Sequence, residues 1–285
     1  MPDMRDKTVL VTGANTGIGL ETAAALAETG ASVILTARDE AKGQGAVEEI
    51  RRRHPDAEVH AGLVDFSRLD DVRRFASEFD KRHDKLHVLV NNAGAMLSER
   101  STTHDGLETT FQVNHLGPFL LTNLLLDKIK ASAPARIVNV ASTAHRGGSL
   151  DFDDLQSENG YNGMRVYGTS KLCNILFTRE LARRLEGTGV TANSLHPGTV
   201  RTGFGQDGDA KGFMKLGLAF IRPFILSPAR GAKTQTYLAS SPDVGAKTGL
   251  YWSRKRPSRP SKAALDDKAA RRLWEVSENL TGLSS

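Results

Sequence analysis

Short β-branched runs alternate with longer stretches of helical periodicity along nearly the whole chain. Thr8–Thr12 reads TVLVT, Ser32–Ala37 SVILTA, Leu86–Val90 LHVLV and Arg136–Val140 RIVNV. Such continuous apolar runs suit strands covered on both faces. Further strands are expected at Glu58–Val64, Thr191–Leu195 and Gly249–Trp252. Helical spacing is expected over Ile18–Thr29, Glu40–Arg53, Leu69–Arg82, Leu107–Lys130, Val166–Leu185, Pro228–Ala239 and Lys262–Leu280. Gly30 reads as the residue just past a helix end, and Pro55 closes the second helix. Pro118 is expected to kink the fourth stretch, because it removes one N–H and crowds the preceding turn. Strands alternating with helices imply right-handed crossovers and a doubly wound α/β domain. The expectation is a central parallel sheet of about seven strands with helices on both faces.

Composition narrows the class further. At roughly 150 residues per domain, 285 residues could make two domains, but no linker or internal repeat divides the chain. Its 39% apolar and 25% charged content fits a soluble globular protein. The single cysteine, Cys173, cannot form an internal disulfide or a thiolate metal site alone, and fits a reducing compartment. It reads as a small buried apolar residue. The longest charge-free apolar runs, such as Gly117–Leu126, fall short of the ~18 residues a membrane span needs. The start is polar and runs straight into a strand, so neither a leader nor an integral anchor is expected, and the expected location is cytoplasmic. The histidines have no metal-ligand spacing, so no metal is expected. The net charge of +5 is mild. Its clusters, Arg51–Arg53 and Arg254–Lys262, lack interleaved aromatics and read as solvated faces rather than nucleic-acid sites. Gly203–Ser227 breaks the rhythm with Phe204, Phe213, Met214, Leu216, Phe220 and Phe224. It reads as a plain apolar insert, as a lid over an apolar ligand, or as a membrane-surface contact.

After the first strand comes Thr12-Gly13-Ala14-Asn15-Thr16-Gly17-Ile18-Gly19. Glycines at such a strand-to-helix turn allow tight turning and close backbone approach to a pyrophosphate. The following helix start offers free N–H groups and a positive dipole end. The spacing G-x-x-x-G-x-G differs from the general G-x-G-x-x-G fingerprint. Strand two ends in Ala37-Arg38-Asp39. Arg38 suits the 2′-phosphate of NADP, so NADP(H) is favoured over NAD(H). Asp39 reads as the cap of the next helix. Asp65 ends strand three, where it could meet an adenine or cap a helix. Asn91-Asn92-Ala93-Gly94 follows strand four in a tight sequence suited to backbone approach to a ribose.

Tyr167 and Lys171 are four apart on an expected helix and so share a face. A neighbouring ammonium is expected to lower the tyrosine's pKa toward neutrality. Ser142 ends strand five at the C-terminal sheet edge, where ligands of doubly wound folds bind. Asn114 lies in the helical stretch after strand four. His196 reads as a hydrogen-bonded structural residue.

Taken together, these residues resemble the short-chain dehydrogenase/reductase family across nearly the whole chain. Thr12–Gly19, Asn91–Gly94, Asn114, Ser142, Tyr167, Lys171 and Pro197-Gly198 fall in family order. The retinol dehydrogenase-like branch is suggested by Ala37–Asp39, Asp154–Glu158, Ser170–Leu181, His196–Thr202 and the gap between Ser142 and Tyr167. Ala141 stands where many relatives have a second serine. The resemblance implies a single Rossmann-type domain over residues 1–285, with a substrate lid around 203–227. It implies Asn114, Ser142, Tyr167 and Lys171 as catalytic residues. Cofactor contacts are implied for Gly13, Asn15, Thr16, Gly17, Ile18 and Gly19, then Arg38, Asp65 and Phe66. Further contacts are implied for Asn92, Ala93 and Gly94, for Tyr167 and Lys171, and for Pro197, Gly198, Val200 and Thr202. Tyr167 would exchange a proton with the substrate oxygen, held by Ser142, while Lys171 holds the nicotinamide ribose and Asn114 positions a water. The expected activity is NADP-dependent interconversion of a carbonyl and an alcohol on an apolar small molecule. A homodimer is conceivable through the long helices after strands four and five. Two other readings are a non-catalytic dinucleotide sensor, disfavoured by the intact catalytic set, and a sugar-nucleotide epimerase or dehydratase. The latter usually carries a different glycine spacing and a larger C-terminal domain.

Overall fold

The β-branched runs do form strands in the computed structural model, which describes residues 2–198 and 227–283. They are β1 (Thr8–Val11), β2 (Ser32–Ala37), β3 (Val59–Leu63), β4 (Val88–Asn91), β5 (Ala135–Val140), β6 (Val190–His196), β7 (Tyr251–Ser253) and β8 (Arg256–Pro257). One sheet holds them in the order β3-β2-β1-β4-β5-β6-β7-β8. Every pairing from β3 to β7 is parallel, as expected. The addition is β8, a short antiparallel return from β7. Its residues, Arg256 and Pro257, carry no strand signal, so sequence periodicity could not show it.

The helices are α1 (Gly17–Ala27), α2 (Glu40–Arg53), α3 (Leu69–Arg82), α4 (Thr109–Phe111), α5 (Gly117–Leu124), α6 (Leu126–Ala131), α7 (Gly163–Arg184), α8 (Pro228–Ser240) and α9 (Asp267–Thr281). They cover both faces of the sheet. Val9 and Val11 face α1, α2 and α8 in a core with Leu20, Ile50 and Leu238. Leu10 and Leu89 face the opposite layer, with Phe75, Phe119, Phe177 and Trp274. This two-sided burial explains why the strands read as continuous apolar runs.

The stretch expected as one helix over 107–130 is interrupted, and Pro118 supplies the reason. Between α4 and α5, Gln112–Leu116 is π-helical, and the Gly117 N–H donates to the Gln112 carbonyl. Pro118 has no N–H to give the Asn114 carbonyl four residues earlier. The widened turn absorbs that missing bond and the proline ring. Asp39 caps α2 as expected, accepting the Lys42 N–H at 2.8 Å. Asp65 does not cap α3. Its Oδ1 accepts the Ser67 N–H and hydroxyl, while Asp105 takes the Leu69 N–H at 2.9 Å.

The C-terminal helix locks the layer that carries α7. Trp274 lies 5.0 Å from the Phe119 ring and 5.7 Å from Phe177, with the Arg184 guanidinium 4.1 Å over its indole. Arg73 donates to the Thr281 and Gly282 carbonyls at the end of α9. No helix among the described residues is long and apolar enough to cross a membrane. Val200, Thr202 and nearly all of the expected lid, 203–227, lie outside the described residues. Trp274→Ala should lower the unfolding free energy by about 3–5 kcal/mol, as expected for truncating a buried large aromatic. Urea denaturation measures this, and a loss under about 1 kcal/mol would mean that α9 is not part of the cooperative core.

Candidate active site

The glycine turn is shaped by contacts that leave no room for side chains. Gly13 and Gly17 both sit at φ +60°, a conformation glycine adopts freely. A Cβ on Gly13 would lie 2.8 Å from the Ala93 Cα. A Cβ on Gly19 would lie 2.5 Å from the Asn92 amide nitrogen and 2.6 Å from the Gly13 carbonyl. The turn after β1 and the turn after β4 are therefore in direct backbone contact.

Polar side chains clamp the two turns. The Thr12 hydroxyl accepts the N–H groups of Asn92 and Ala93, each at 3.0 Å. The Asn92 amide donates to the carbonyls of Thr12 and Gly13 at 2.9 and 3.1 Å. The Gly13 N–H donates to the Thr36 hydroxyl of β2 at 3.1 Å. Gln235 of α8, fully buried, donates to Asn92 Oδ1 at 3.3 Å and meets the Thr22 hydroxyl of α1 at 3.0 Å. The sequence reading missed Thr36 and Gln235. No local signal could have found Gln235, whose partners are more than a hundred residues away.

This cradle fits a dinucleotide. Thr16 precedes α1 without a side-chain cap, and the first turn of α1 has no acidic residue. Its N–H groups thus point outward with the helix dipole behind them. The Cβ position of Gly17 faces open space. Asn15 is half-buried and Thr16 exposed at the same turn, while Ile18 points into the core. Arg38 lies just past β2, exposed, and makes no hydrogen bond or ion pair with a described residue. Asp65 is half-buried beyond β3, and Phe66 is buried against Gly117. Pro197 and Gly198 follow β6, Gly198 at φ +99°.

Four residues of the expected catalytic set converge at the C-terminal edge of β4 and β5. Ser142 follows β5, and its hydroxyl oxygen accepts the Ala144 N–H at 3.2 Å. Its hydroxyl hydrogen bonds the Tyr167 phenol. One turn along α7, Lys171 is only 3% exposed, and its ammonium donates to the Val140 carbonyl at 3.3 Å. That nitrogen lies 5.5 Å from the centre of the Tyr167 ring. Asn114 is fully buried in the π-helical segment. A Cβ on Gly94 would lie 3.1 Å from Asn114 Oδ1 and 3.2 Å from Lys171 Nζ, so a side chain there would press on both.

The Asn114 side chain makes three hydrogen bonds. Its oxygen accepts the Ala95 N–H at 2.6 Å, and its amide donates to the Ala95 carbonyl and the Ser170 hydroxyl. The side chain thus fixes the loop after β4 against α7.

The electrostatics correct one expectation. Burial pushes the Tyr167 phenol above its ordinary pKa, and the Ser142 hydrogen bond opposes this only in part. Lys171 does not reverse that balance at 5.5 Å. Burial instead pushes the Lys171 amine down to about 8. His196 is pushed down to about 4, first by burial and then by His145 and Arg254. Its Nδ1 accepts the Thr143 N–H at 3.4 Å, the structural role expected of it. The sequence reading also missed His145, which is fully buried. Its Nδ1 donates to the Ser142 carbonyl at 2.6 Å, and its Nε2 accepts the Ser261 N–H at 3.0 Å. Cys173 is buried, as expected, and no metal-binding cluster of side chains occurs among the described residues.

A doubly wound sheet with a glycine-rich dinucleotide cradle and a Ser–Tyr–Lys set at its C-terminal edge defines a class of nicotinamide-dependent oxidoreductases. Residues 7–211 match the family described as short chain dehydrogenase. The chain belongs to that family, in its retinol dehydrogenase-like branch. It is 45% identical to human Retinol dehydrogenase 13 over 284 residues, covering 98% of this chain and 86% of that protein. Retinol dehydrogenase 12 of Mus musculus is 46% identical over 277 residues, covering 97% and 87%. A putative uncharacterized protein from Mycobacterium paratuberculosis superposes with TM-score 0.80 at 34% identity, over 99% of this chain and 96% of that one. The RhlG/NADP active-site complex of Pseudomonas aeruginosa superposes with TM-score 0.70 at 26% identity, over 87% and 94%. The protein is therefore an oxidoreductase of the carbonyl–alcohol type, from a family that uses nicotinamide dinucleotides.

Burial of Lys171 has a measurable consequence. An unfolded lysine titrates near pH ~10.4, whereas the folded one titrates near about 8. Between those values the unfolded chain binds the extra proton, so this group makes stability rise with pH. Below about 8 its buried charge is a constant cost. The stability difference between Lys171→Met and wild type should therefore shift in favour of wild type from pH 8 to 10. Urea denaturation at four pH values tests this, and parallel profiles would contradict it.

Proposed function

We propose that the protein is an NADP(H)-dependent oxidoreductase that interconverts an aldehyde or ketone with its alcohol on an apolar small molecule. The observation that carries this reading is the meeting of Ser142, Tyr167, Lys171 and Asn114 at one sheet edge, beside a glycine turn with uncapped helix N–H groups. The turn from Gly13 to Gly19 would hold the pyrophosphate. Asn92, Ala93 and Gly94 would lie along the ribose, Asp65 and Phe66 beside the adenine, and Pro197 and Gly198 beside the nicotinamide. Val200 and Thr202 complete the proposed contacts from beyond the described residues.

When bound, the nicotinamide supplies or accepts the hydride. Tyr167 gives its phenolic proton to the carbonyl oxygen in reduction and takes one back in oxidation. A phenol pushed up by burial stays protonated at neutral pH, which suits a proton donor to a carbonyl. The Ser142 hydroxyl holds the same oxygen by a hydrogen bond that strengthens as charge develops. Lys171, low in its buried setting, takes part in proton exchange more readily than an exposed lysine and holds the ribose hydroxyls. Asn114 positions a water that connects Lys171 to solvent. Arg38 reads the 2′-phosphate, because an exposed guanidinium without a protein partner is available for bidentate pairing.

Tyr167→Phe should lower kcat/KM for carbonyl reduction by about 10²–10⁴-fold, the range for a lost general acid, while NADPH binding stays within about threefold. Full activity in that variant would remove Tyr167 from its role. Arg38→Asp should lower the NADPH-over-NADH preference by about 10–100-fold, the worth of a charge-assisted contact of roughly 1.5–3 kcal/mol. An unchanged ratio, read from cofactor absorbance over a panel of aldehydes and ketones, would show that Arg38 does not select the cofactor.

A further inference from the structure

The charge of this protein is concentrated in one place. The chain holds 38 Lys and Arg against 33 Asp and Glu. Five of those cations, Arg254, Lys255, Arg256, Arg259 and Lys262, fall in nine consecutive residues without a carboxylate. The remainder balances at 33 of each sign, so this stretch accounts for the whole net charge of +5. All five side chains are exposed, and none is ion-paired among the described residues. Two of the three arginines of the other basic cluster are engaged in structure. Arg53 pairs with Glu21 at 2.9 Å, and Arg51 donates to the Val59 carbonyl at 2.7 Å.

The stretch is fastened to the turn that carries Ser142. Ser253, just before it, pairs in register with His196, whose ring accepts the Thr143 N–H. Arg146 donates to the Arg259 carbonyl at 2.8 Å. The Ser261 N–H donates to His145, which in turn donates to the Ser142 carbonyl. The rim therefore stands at the β6–β8 end of the sheet, beside the candidate catalytic edge. The glycine turn and Arg38 follow β1 and β2 at the other end, so this charge is not placed for the cofactor's phosphates.

The turn itself is held at a cost. Arg254 and Lys255 occupy φ +50° and +61° at the tip of the β7–β8 hairpin. Asn-Gly adopts that pair of conformations readily, whereas long β-substituted side chains do so under strain. Two cations occupy it here.

We propose that this rim binds an acidic group, a carboxylate or phosphate, at the far end of a carbonyl substrate that is otherwise apolar. This deepens the carbonyl–alcohol reading and rests on it. The stretch from 254 to 262 contains no aliphatic or aromatic side chain to enter a bilayer and no ring to stack on a base. An acidic small molecule drawn to the catalytic edge needs neither. Surface cations without carboxylate partners raise the local concentration of anions and their rate of capture.

The test compares the nine-carbon ω-oxo acid with its methyl ester, both reduced with NADPH. The chain separates the two ends, so the aldehydes are equally reactive. At about 20 mM salt, kcat/KM should favour the acid by about tenfold, and at about 0.5 M salt the preference should largely vanish through screening. Arg254→Glu with Lys255→Glu should turn the preference toward the ester. Arg254→Asn with Lys255→Gly relieves the backbone, so it should raise Tm while cutting the acid preference at least threefold. Equal use of both probes, or a preference that ignores salt and both double variants, would overturn the proposal. So would salt-sensitive binding of the wild type to phosphatidylserine vesicles without any acid preference, which would assign the rim to a lipid surface. Reduction of neither probe despite NADPH binding would overturn the carbonyl reading itself, and this proposal with it.

Discussion

The Val140 carbonyl at the end of β5 sets the geometry of the candidate site. It accepts from Lys171 at 3.3 Å and from Asn174 at 3.2 Å, two residues three apart on α7. This double acceptance fixes where α7 crosses the sheet. Ser142 lies two residues beyond Val140, and Tyr167 one helical turn before Lys171. A single backbone oxygen therefore places both ends of the Ser142–Tyr167 hydrogen bond. The same tie buries the Lys171 amine, which is why its pKa falls, and brings the amine close to Gly94. A buried ammonium with little more than one carbonyl for company is costly. The fold tolerates it because α7 is anchored elsewhere, through Phe177 and the Trp274 stack.

Much of the fold was legible in the sequence because its strands are buried on both faces. A run such as TVLVT leaves little alternative to a central strand. What escaped was settled by contacts between distant residues or by backbone effects. Pro118 announced a break, yet only the structure shows that a π-helical turn absorbs it. β8 is a proline and an arginine paired by a hairpin, not by propensity. Ser142, Tyr167 and Lys171 were legible as a set because spacing and strand ends place them on one edge. The direction of the Tyr167 shift was not, since it depends on how deeply the phenol is buried. His145 and Gln235 gave no signal at all. Each is a polar residue whose meaning lies in partners far along the chain, Ser261 for one and Asn92 for the other.

The cofactor cradle shows the same reliance on distant partners, with a physical benefit. Thr12, Thr36, Asn92 and Gln235 come from different elements, and all bond to the backbone of the glycine turn or to each other. Glycine makes the turn possible but also leaves it entropically loose. The side-chain clamp removes that looseness in the folded chain. The turn is thereby held in one shape, and less ordering remains to be done on binding. Gln235 sits on α8, the first element after the undescribed segment 199–226. It thus connects the helix that follows the expected lid to the glycine turn.

Two kinds of electrostatics divide the sheet edge between them. At the β1–β4 end, the glycine turn presents neutral groups, namely backbone N–H donors, amides and a helix dipole, with Arg38 as the one exposed cation of the proposed cofactor contacts. The neutral groups are short-ranged, nearly independent of salt, and suited to a ligand that must be gripped in one orientation. At the β6–β8 end, the side chains are exposed cations, one of them, Lys255, lying 5.5 Å over the Tyr237 ring, and the rest of the sequence carries equal numbers of each sign. Such a field reaches about a Debye length into solvent and acts before contact. A buried Lys171 could not serve that purpose, because its charge is spent inside the protein. A surface cation could not serve in place of Lys171, because water would keep its pKa ordinary. The chain therefore needs both, and the hydrogen bonds through His145 and Arg146 hold the outer charges at a fixed place beside the inner one.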